Sequence, residues 1–410
     1  MIAATMSLAR VTLGGRFAVA FAFLALAACA PTTDDGQAPG QPGEKPALRT
    51  GAEVLADRQF DILEGKRVGL ITNHTAIVDS VHLIDILFQD PNVELVALFG
   101  PEHGLRGHVE AGFEITDGLD AATGVPVFSL YGENRQPPDS ALAMLDILVF
   151  DIQDVGARFY TYISTMGLAM QSAARADIPF VVLDRPNPLG RRSEGPIREP
   201  AFDSFVGLYP IPITHGLTVG ELAMKIKSNG WLEGLENLSL QVIEVDGWDH
   251  ELLWPETGRP WIPTSPNIPD FETALVYPGT CLFEGTSWSE GRGTATPFRV
   301  VGYPRVDGFA MADTLNGLNL PGIRFEATTF TPVSIPVKSS NPKFEGTELN
   351  GVRLIVTDHR VYEPVRTGIE VVKAAYRVTP QTELETFFNE RWFDKLAGTS
   401  ALRESIIAGR

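Results

Sequence analysis

Between Gly65 and about Asp184, short apolar runs alternate with stretches whose apolar residues recur at helical spacing. The runs "RVGLIT" (Arg67–Thr72), "VELVALF" (Val93–Phe99), "DILVFDI" (Asp146–Ile152) and "IPFVVLD" (Ile178–Asp184) predict strands. They are continuously apolar rather than alternating, the pattern of a sheet covered on both faces. Between them, "SVHLIDILFQ" (Ser80–Gln89) and "TYISTMGLAMQSAARA" (Thr161–Ala176) predict helices. The β–α alternation predicts an α/β fold with a Rossmann-like, mostly parallel, doubly wound N-terminal domain.

Farther along, "THGLTVGELAMKIKSNGW" (Thr214–Trp231) reads as a capped helix, with Thr218 as N-cap, Glu221 closing a capping box and Gly230 as the stop. Beyond about Pro266 the texture changes. Gly and Pro become dense through "YPGTCLFEGTSWSEGRGTATPF", after which "GVRLIVTD" (Gly351–Asp358) predicts a strand and two helical stretches follow. The expected division is a Rossmann-like catalytic domain over 49–270 and a smaller α+β domain over 271–410 that completes the site.

The N-terminus changes the picture of where such a chain works. Arg10 and Arg16 precede "FAVAFAFLALAA", an apolar stretch too short to span a bilayer, and Cys29 follows it. "Leu26-Ala27-Ala28-Cys29" resembles a bacterial lipobox, which implies a signal peptide over 1–28 and a lipidated Cys29. The Pro/Gly-rich, polar segment up to about residue 48 is then a flexible tether. This predicts an exported lipoprotein on the periplasmic face of the outer or inner membrane, held there by its lipid alone. Cys281 has no partner left within the chain, so the roughly 360 residues after the tether must rely on their core rather than on disulfides. The net charge is −18, and loss of residues 1–28 removes two arginines and no acid. That balance disfavours nucleic acid and anionic lipid surfaces as partners.

In open parallel sheets, ligands sit at the C-terminal ends of the strands. Here each such end is polar: Thr72-Asn73-His74, Glu102-His103, Asp151 with Asp154, and Asp184-Arg185-Pro186-Asn187. One polar strand end is an ordinary cap or turn, and Asp184 beside Arg185 also reads as a local ion pair. Four in succession predict a polar rim. In "FGPEHGLRG" (99–107) the turn needs its Gly and Pro, but not Glu102, His103 or Arg106.

The loop "FEGTSWSEGRGT" (283–294) adds Glu284, Glu290 and Arg292. It lacks the second glycine of a nucleophile elbow and the third glycine of a dinucleotide fingerprint. His103 and His108 are the nearest thing to a metal pair, and no HExxH or Cys/His cluster accompanies them, so neither metal nor cofactor is expected. Several carboxylates, an arginine and aromatics such as Trp254, Trp261 and Trp288 suit a sugar. Glycosidic cleavage needs one carboxyl as proton donor and usually a second as base or nucleophile.

"GLITNHTA", "FGPEHGLRG", "DIQDVGARFYTY", "RPNPLG", "HGLTVGELA", "SPNIP" and "YPGTCLFEGTSWSEGRGT" together resemble the exo-β-N-acetylmuramidases of glycoside hydrolase family 171. The resemblance implies release of N-acetylmuramic acid from the non-reducing end of peptidoglycan fragments. It carries a site onto Glu102, His103, Asp151, Asp154, Arg158, Glu284, Glu290 and Arg292. It departs at Trp288, where a smaller residue is expected, and in "SSNPKFEGTELNGV", which lacks a cysteine seen in many relatives.

The expected roles are therefore Glu102 as general acid and Glu284 or Glu290 as second carboxyl, with Arg158 or Arg292 on the lactyl carboxylate. Asn73, His74, His103, Arg106, Asp151, Asp154, Arg185 and Asn187 are expected to bind substrate. The competing readings are a lipid-anchored muropeptide- or sugar-binding protein without catalysis and, more weakly, an esterase or amidase. Oligomeric state is not legible.

Overall fold

The computed structural model describes residues 48–106 and 117–409, so the leader, Cys29 and nearly all of the tether lie outside the described residues. The first half runs through α1 (Gly51–Asp57), β1 (Arg67–Thr72), a ribbon of β2 (Ile77–Val78) and β3 (Val81–His82), α2 (Leu83–Gln89) and β4 (Glu94–Gly100). Next come β5 (Gly118–Leu119), β6 (Pro126–Ser129), α3 (Asp139–Leu142), β7 (Ile147–Asp151), α4 (Tyr162–Arg175) and β8 (Phe180–Leu183). β9 (Ser193–Glu194), β10 (Thr214–His215), α5 (Val219–Ser228) and β11 (Leu240–Ile243) follow. The remainder holds α6 (Phe271–Thr280), β12 (Val300–Tyr303), α7 (Gly308–Gly317), β13 (Ile323–Phe330) and β14 (Leu349–Val356). Three helices close the chain: α8 (Pro364–Val378), α9 (Glu390–Ala397) and α10 (Ala401–Ile407).

The main sheet has the order β11-β8-β7-β1-β4-β6-β5. Its pairings are parallel except at β5–β6. From β1 the chain builds outward through β4 and β6, then returns to β7 and builds the other way. The switch point thus lies between β1 and β7, where ligand crevices form in such sheets. Side chains alternate between two cores: Val68 and Leu70 of β1 pack with residues of α1 and α2, whereas Ile71 faces the core shared with α4 and α5. Burial on both faces is why these strands read as unbroken apolar runs.

A smaller antiparallel sheet, β12-β14-β13, lies in the C-terminal third. Its Val301, Val352 and Leu354 belong to the same continuous core as α4, and the described residues from 48 onward form one compact unit. The α6–α8 crossing is close. A Cβ on Gly368 would lie 2.3 Å from the Gly279 Cα, so only glycine fits there. That contact fixes the end of α6, and the 281–292 loop starts from it.

Candidate active site

The chain leaves β4 in a tight turn closed by the Gly104 amide on the Pro101 carbonyl (2.9 Å). His103 occupies the turn at φ +73°, a left-handed conformation that normally falls to glycine. A buried histidine there costs backbone strain, and strain of this kind gathers at functional sites. The turn presents Glu102 to the start of α4, where the Thr161 hydroxyl donates to Glu102 Oε2 (2.9 Å).

Glu102 and His103 open onto a small pocket. Its wall is aromatic: Phe159, Tyr160, Tyr162, Tyr277 and Phe298. The rings brace one another edge to face, Tyr160 on Tyr162 at 5.0 Å and Tyr277 on Phe298 at 4.9 Å. The Tyr160 hydroxyl donates to Thr264 Oγ1 (2.8 Å) and the Tyr162 hydroxyl to the Thr264 carbonyl (2.9 Å). Burial pushes the tyrosine hydroxyls of 160, 162 and 277 well up, so they remain protonated donors.

Arg292 enters the pocket from the other side, its guanidinium 5.1 Å from the Phe298 ring centre. Nη2 donates to Glu284 Oε1 (2.7 Å), and Nε lies 3.6 Å from Glu290 Oε1. Burial alone would favour its neutral form, but these two carboxylates outweigh that and keep it cationic. Lys343 locks the same loop. Its ammonium donates to the carbonyls of Phe283 (2.8 Å), Thr286 (3.0 Å) and Trp288 (2.9 Å) and lies 3.0 Å from Glu290 Oε2.

A pocket that sets a strand-end carboxyl beside an arginine, against a wall of aromatic rings, fits an acidic sugar. Comparison with known proteins agrees. The model described as exo-beta-N-acetylmuramidase NamZ, N-terminal, matches residues 68–272, and its C-terminal counterpart matches 275–410. The chain belongs to the NamZ exo-β-N-acetylmuramidase family. It is 45% identical over 371 residues to the peptidoglycan beta-N-acetylmuramidase NamZ of Bacillus subtilis (strain 168), covering 90% of this chain and 86% of that one. Two crystal structures of DUF1343 family proteins from Bacteroides fragilis share the fold. One has a TM-score of 0.80 at 38% identity and the other 0.72 at 34%, each covering 88% of this chain and 91% of its own.

Within this NamZ-family site, Glu102, His103 and Arg292 line one pocket. Glu284 and Glu290 are not among its lining residues; they flank Arg292 and set its position and charge. Asn73 is fully buried, with Oδ1 accepting from the Thr75 amide (3.0 Å) and hydroxyl (2.6 Å). His74 Nε2 donates to the Pro263 carbonyl (2.5 Å), tying the β1 loop to the segment that brings Ser265 to the pocket.

Several residues expected to contact substrate are engaged within the protein. Arg106 is spent on Asp85 and Asp120. Arg158 is buried and donates to the carbonyls of Pro196, Ile211 and Leu396; without a carboxylate partner, burial lowers its pKa to about 10. It is not among the residues that line the Glu102 pocket. Arg185 pairs not with adjacent Asp184 but with Asp151, through Nε (2.5 Å) and Nη2 (2.9 Å). Asp184 instead accepts from Thr218 Oγ1 and the Gly220 amide at the start of α5. Asp154 accepts from the Gly156 amide (2.6 Å) and faces His215 Nε2 at 3.5 Å. Asn187 bridges the Leu189 amide and the Leu217 carbonyl.

Trp288 is no sugar platform: it is fully buried, stacked on Tyr303, with Nε1 donating to Thr379. The residues missed are Tyr160, Thr161, Tyr162, Ser265, Tyr277 and Lys343. The first five sit inside the motifs "DIQDVGARFYTY", "SPNIP" and "YPGTCLFEGTSWSEGRGT" or beside their ends, but neutral side chains give no charge signal. Among the described residues, no group of three or more His, Cys, Asp or Glu is placed to hold a metal.

Proposed function

We propose that the protein is an exo-acting glycoside hydrolase that releases N-acetylmuramic acid from the non-reducing end of peptidoglycan fragments. The observation that carries this reading is the meeting of Glu102 and Arg292 on one small aromatic pocket, in a chain of a muramidase family. The lactyl carboxylate that distinguishes muramic acid from glucosamine pairs with Arg292, whose planar fork matches it.

Glu102 gives its proton to the glycosidic oxygen as the bond from C1 breaks. Glu284 and Glu290 being committed to Arg292, the reading with one protein carboxyl fits best. The acetamido oxygen of the sugar closes on C1 from the opposite face and forms an oxazolinium ring. Water then opens that ring, passing its proton to the Glu102 carboxylate, and the product keeps its anomeric configuration. The tyrosine wall holds the sugar and excludes bulk water. Lipidation of Cys29 would hold the enzyme at a membrane facing the wall.

A chromogenic β-N-acetylmuraminide tests the reading. The protein is expected to hydrolyse it and to prefer it to the matching N-acetylglucosaminide. Arg292→Ala should lose about 1.5–3 kcal/mol of carboxylate recognition, a tenfold or greater loss of that preference. Absence of turnover would favour the non-catalytic binder, and an unchanged preference would remove Arg292 from the lactyl group.

A further inference from the structure

A second cavity, about 370 Å³, lies at the same edge of the sheet and shares no lining residue with the Glu102 pocket. Thr75, Gln153 and Arg185, which line it, follow β1, β7 and β8, so it sits at the switch point between β1 and β7. Segment 262–265 passes from one cavity to the other, contributing Ile262 to this one and Ser265 to the pocket of Glu102.

Two buried polar atoms around this cavity, on Gln153 and Trp254, lack protein partners, and Arg185 beside them keeps one nitrogen unengaged. Arg185 is 4% exposed and held rigidly by Asp151 through Nε and Nη2, which leaves Nη1 without a hydrogen-bond partner among the described residues. Gln153 uses its amide nitrogen on the carbonyls of Asp154 and Pro186, and its Oε1 has none. Trp254 Nε1 also has none. Buried polar atoms are rarely left this way, and a cluster of them around one cavity marks a place where a ligand completes the bonding.

The charges indicate which ligand. Arg185 is neutralised by Asp151, and Arg259 at the cavity edge is closed bidentately on Glu53. The floor therefore offers hydrogen bonds from charge-balanced pairs, beside apolar Ile77 and Ile262, and the exposed carboxylate of Asp79 on the same lining disfavours an anionic ligand. A neutral N-acetylated sugar supplies the complement: hydroxyl and acetamido oxygens for Arg185 and Trp254, N–H or O–H for Gln153, and a methyl for the isoleucines. An arginine fixed beforehand loses no rotamer freedom on binding.

We propose that this cavity is a second, non-catalytic site for N-acetylglucosamine, the neutral unit of the same glycan. The choice of sugar rests on the proposed function; the site itself does not.

The test is titration of the whole protein with N-acetylglucosamine by calorimetry, alongside Ile77→Trp and Ser80→Trp, two fillings of the cavity rim away from the Glu102 pocket. Both variants should lose binding tenfold or more, should keep kcat and KM on the chromogenic muraminide, and should show a raised KM on longer glycan fragments. Folded variants that bind N-acetylglucosamine like the parent, or a parent that binds none, would overturn the assignment. Failure to cleave the muraminide with cavity-dependent binding intact would instead count against the enzyme reading alone.

Discussion

At the scale of single residues, Glu102 was legible because a turn after β4 had no structural need for it, and its position beside a left-handed His103 fits that reasoning. The partners of Arg158, Arg106 and Arg185 were not legible. A charged side chain's partner is chosen by tertiary contacts, here backbone carbonyls or acids 14 to 34 positions away. Asp184 carries a prediction of its own. Burial raises its carboxyl to about 6 despite donors from Gly220, Thr218 and Arg185. The folded state thus holds this proton more tightly than the unfolded chain, with its ordinary value near 3.8. Its protonation adds stability that is complete below about 3.8 and lost as pH rises through about 6. Melting curves from pH 4 to 7 should show this component in the parent, and Asp184→Asn should lack it; parallel curves would refute the shift.

At the scale of elements, buried parallel strands announce themselves, and β1, β4, β7 and β8 fall within two residues of their apolar runs. Strands β6 and β11 are four residues each and half-exposed in part, too short to stand out from the loops around them. The capping box of α5 was readable because it is local: Thr218 Oγ1 accepts from the Glu221 amide (3.2 Å), and Glu221 returns to the Thr218 amide (2.9 Å). The α6–α8 crossing was not, since two glycines 89 positions apart meet only in the fold. Gly368→Ala should push backbone against backbone there and cost about 1–3 kcal/mol, read by chemical denaturation. Because α6 leads into the loop of Arg292, turnover should fall with it. A variant as stable as the parent would mean that the helices slide apart freely.

At the scale of the whole molecule, one sheet edge carries two cavities, and the C-terminal third supplies Arg292 to the first of them. Residues 68–272 and 275–410 correspond to separate family models, yet they share one apolar core. The pocket is therefore built across both. Anchoring belongs to this scale as well. If Cys29 is lipidated, the parent should fractionate with membranes and Cys29→Ser should appear in the soluble fraction; equal membrane association of the two would refute the anchor.

The most direct test of the central claim is turnover of Glu102→Gln on a muramic acid–glucosamine disaccharide and on an aryl muraminide whose leaving group needs no proton. Loss of acid assistance predicts a fall of about two orders of magnitude or more on the disaccharide, with a smaller loss at the bond-breaking step of the aryl substrate. Near-parental turnover on the disaccharide would contradict Glu102 as the proton donor.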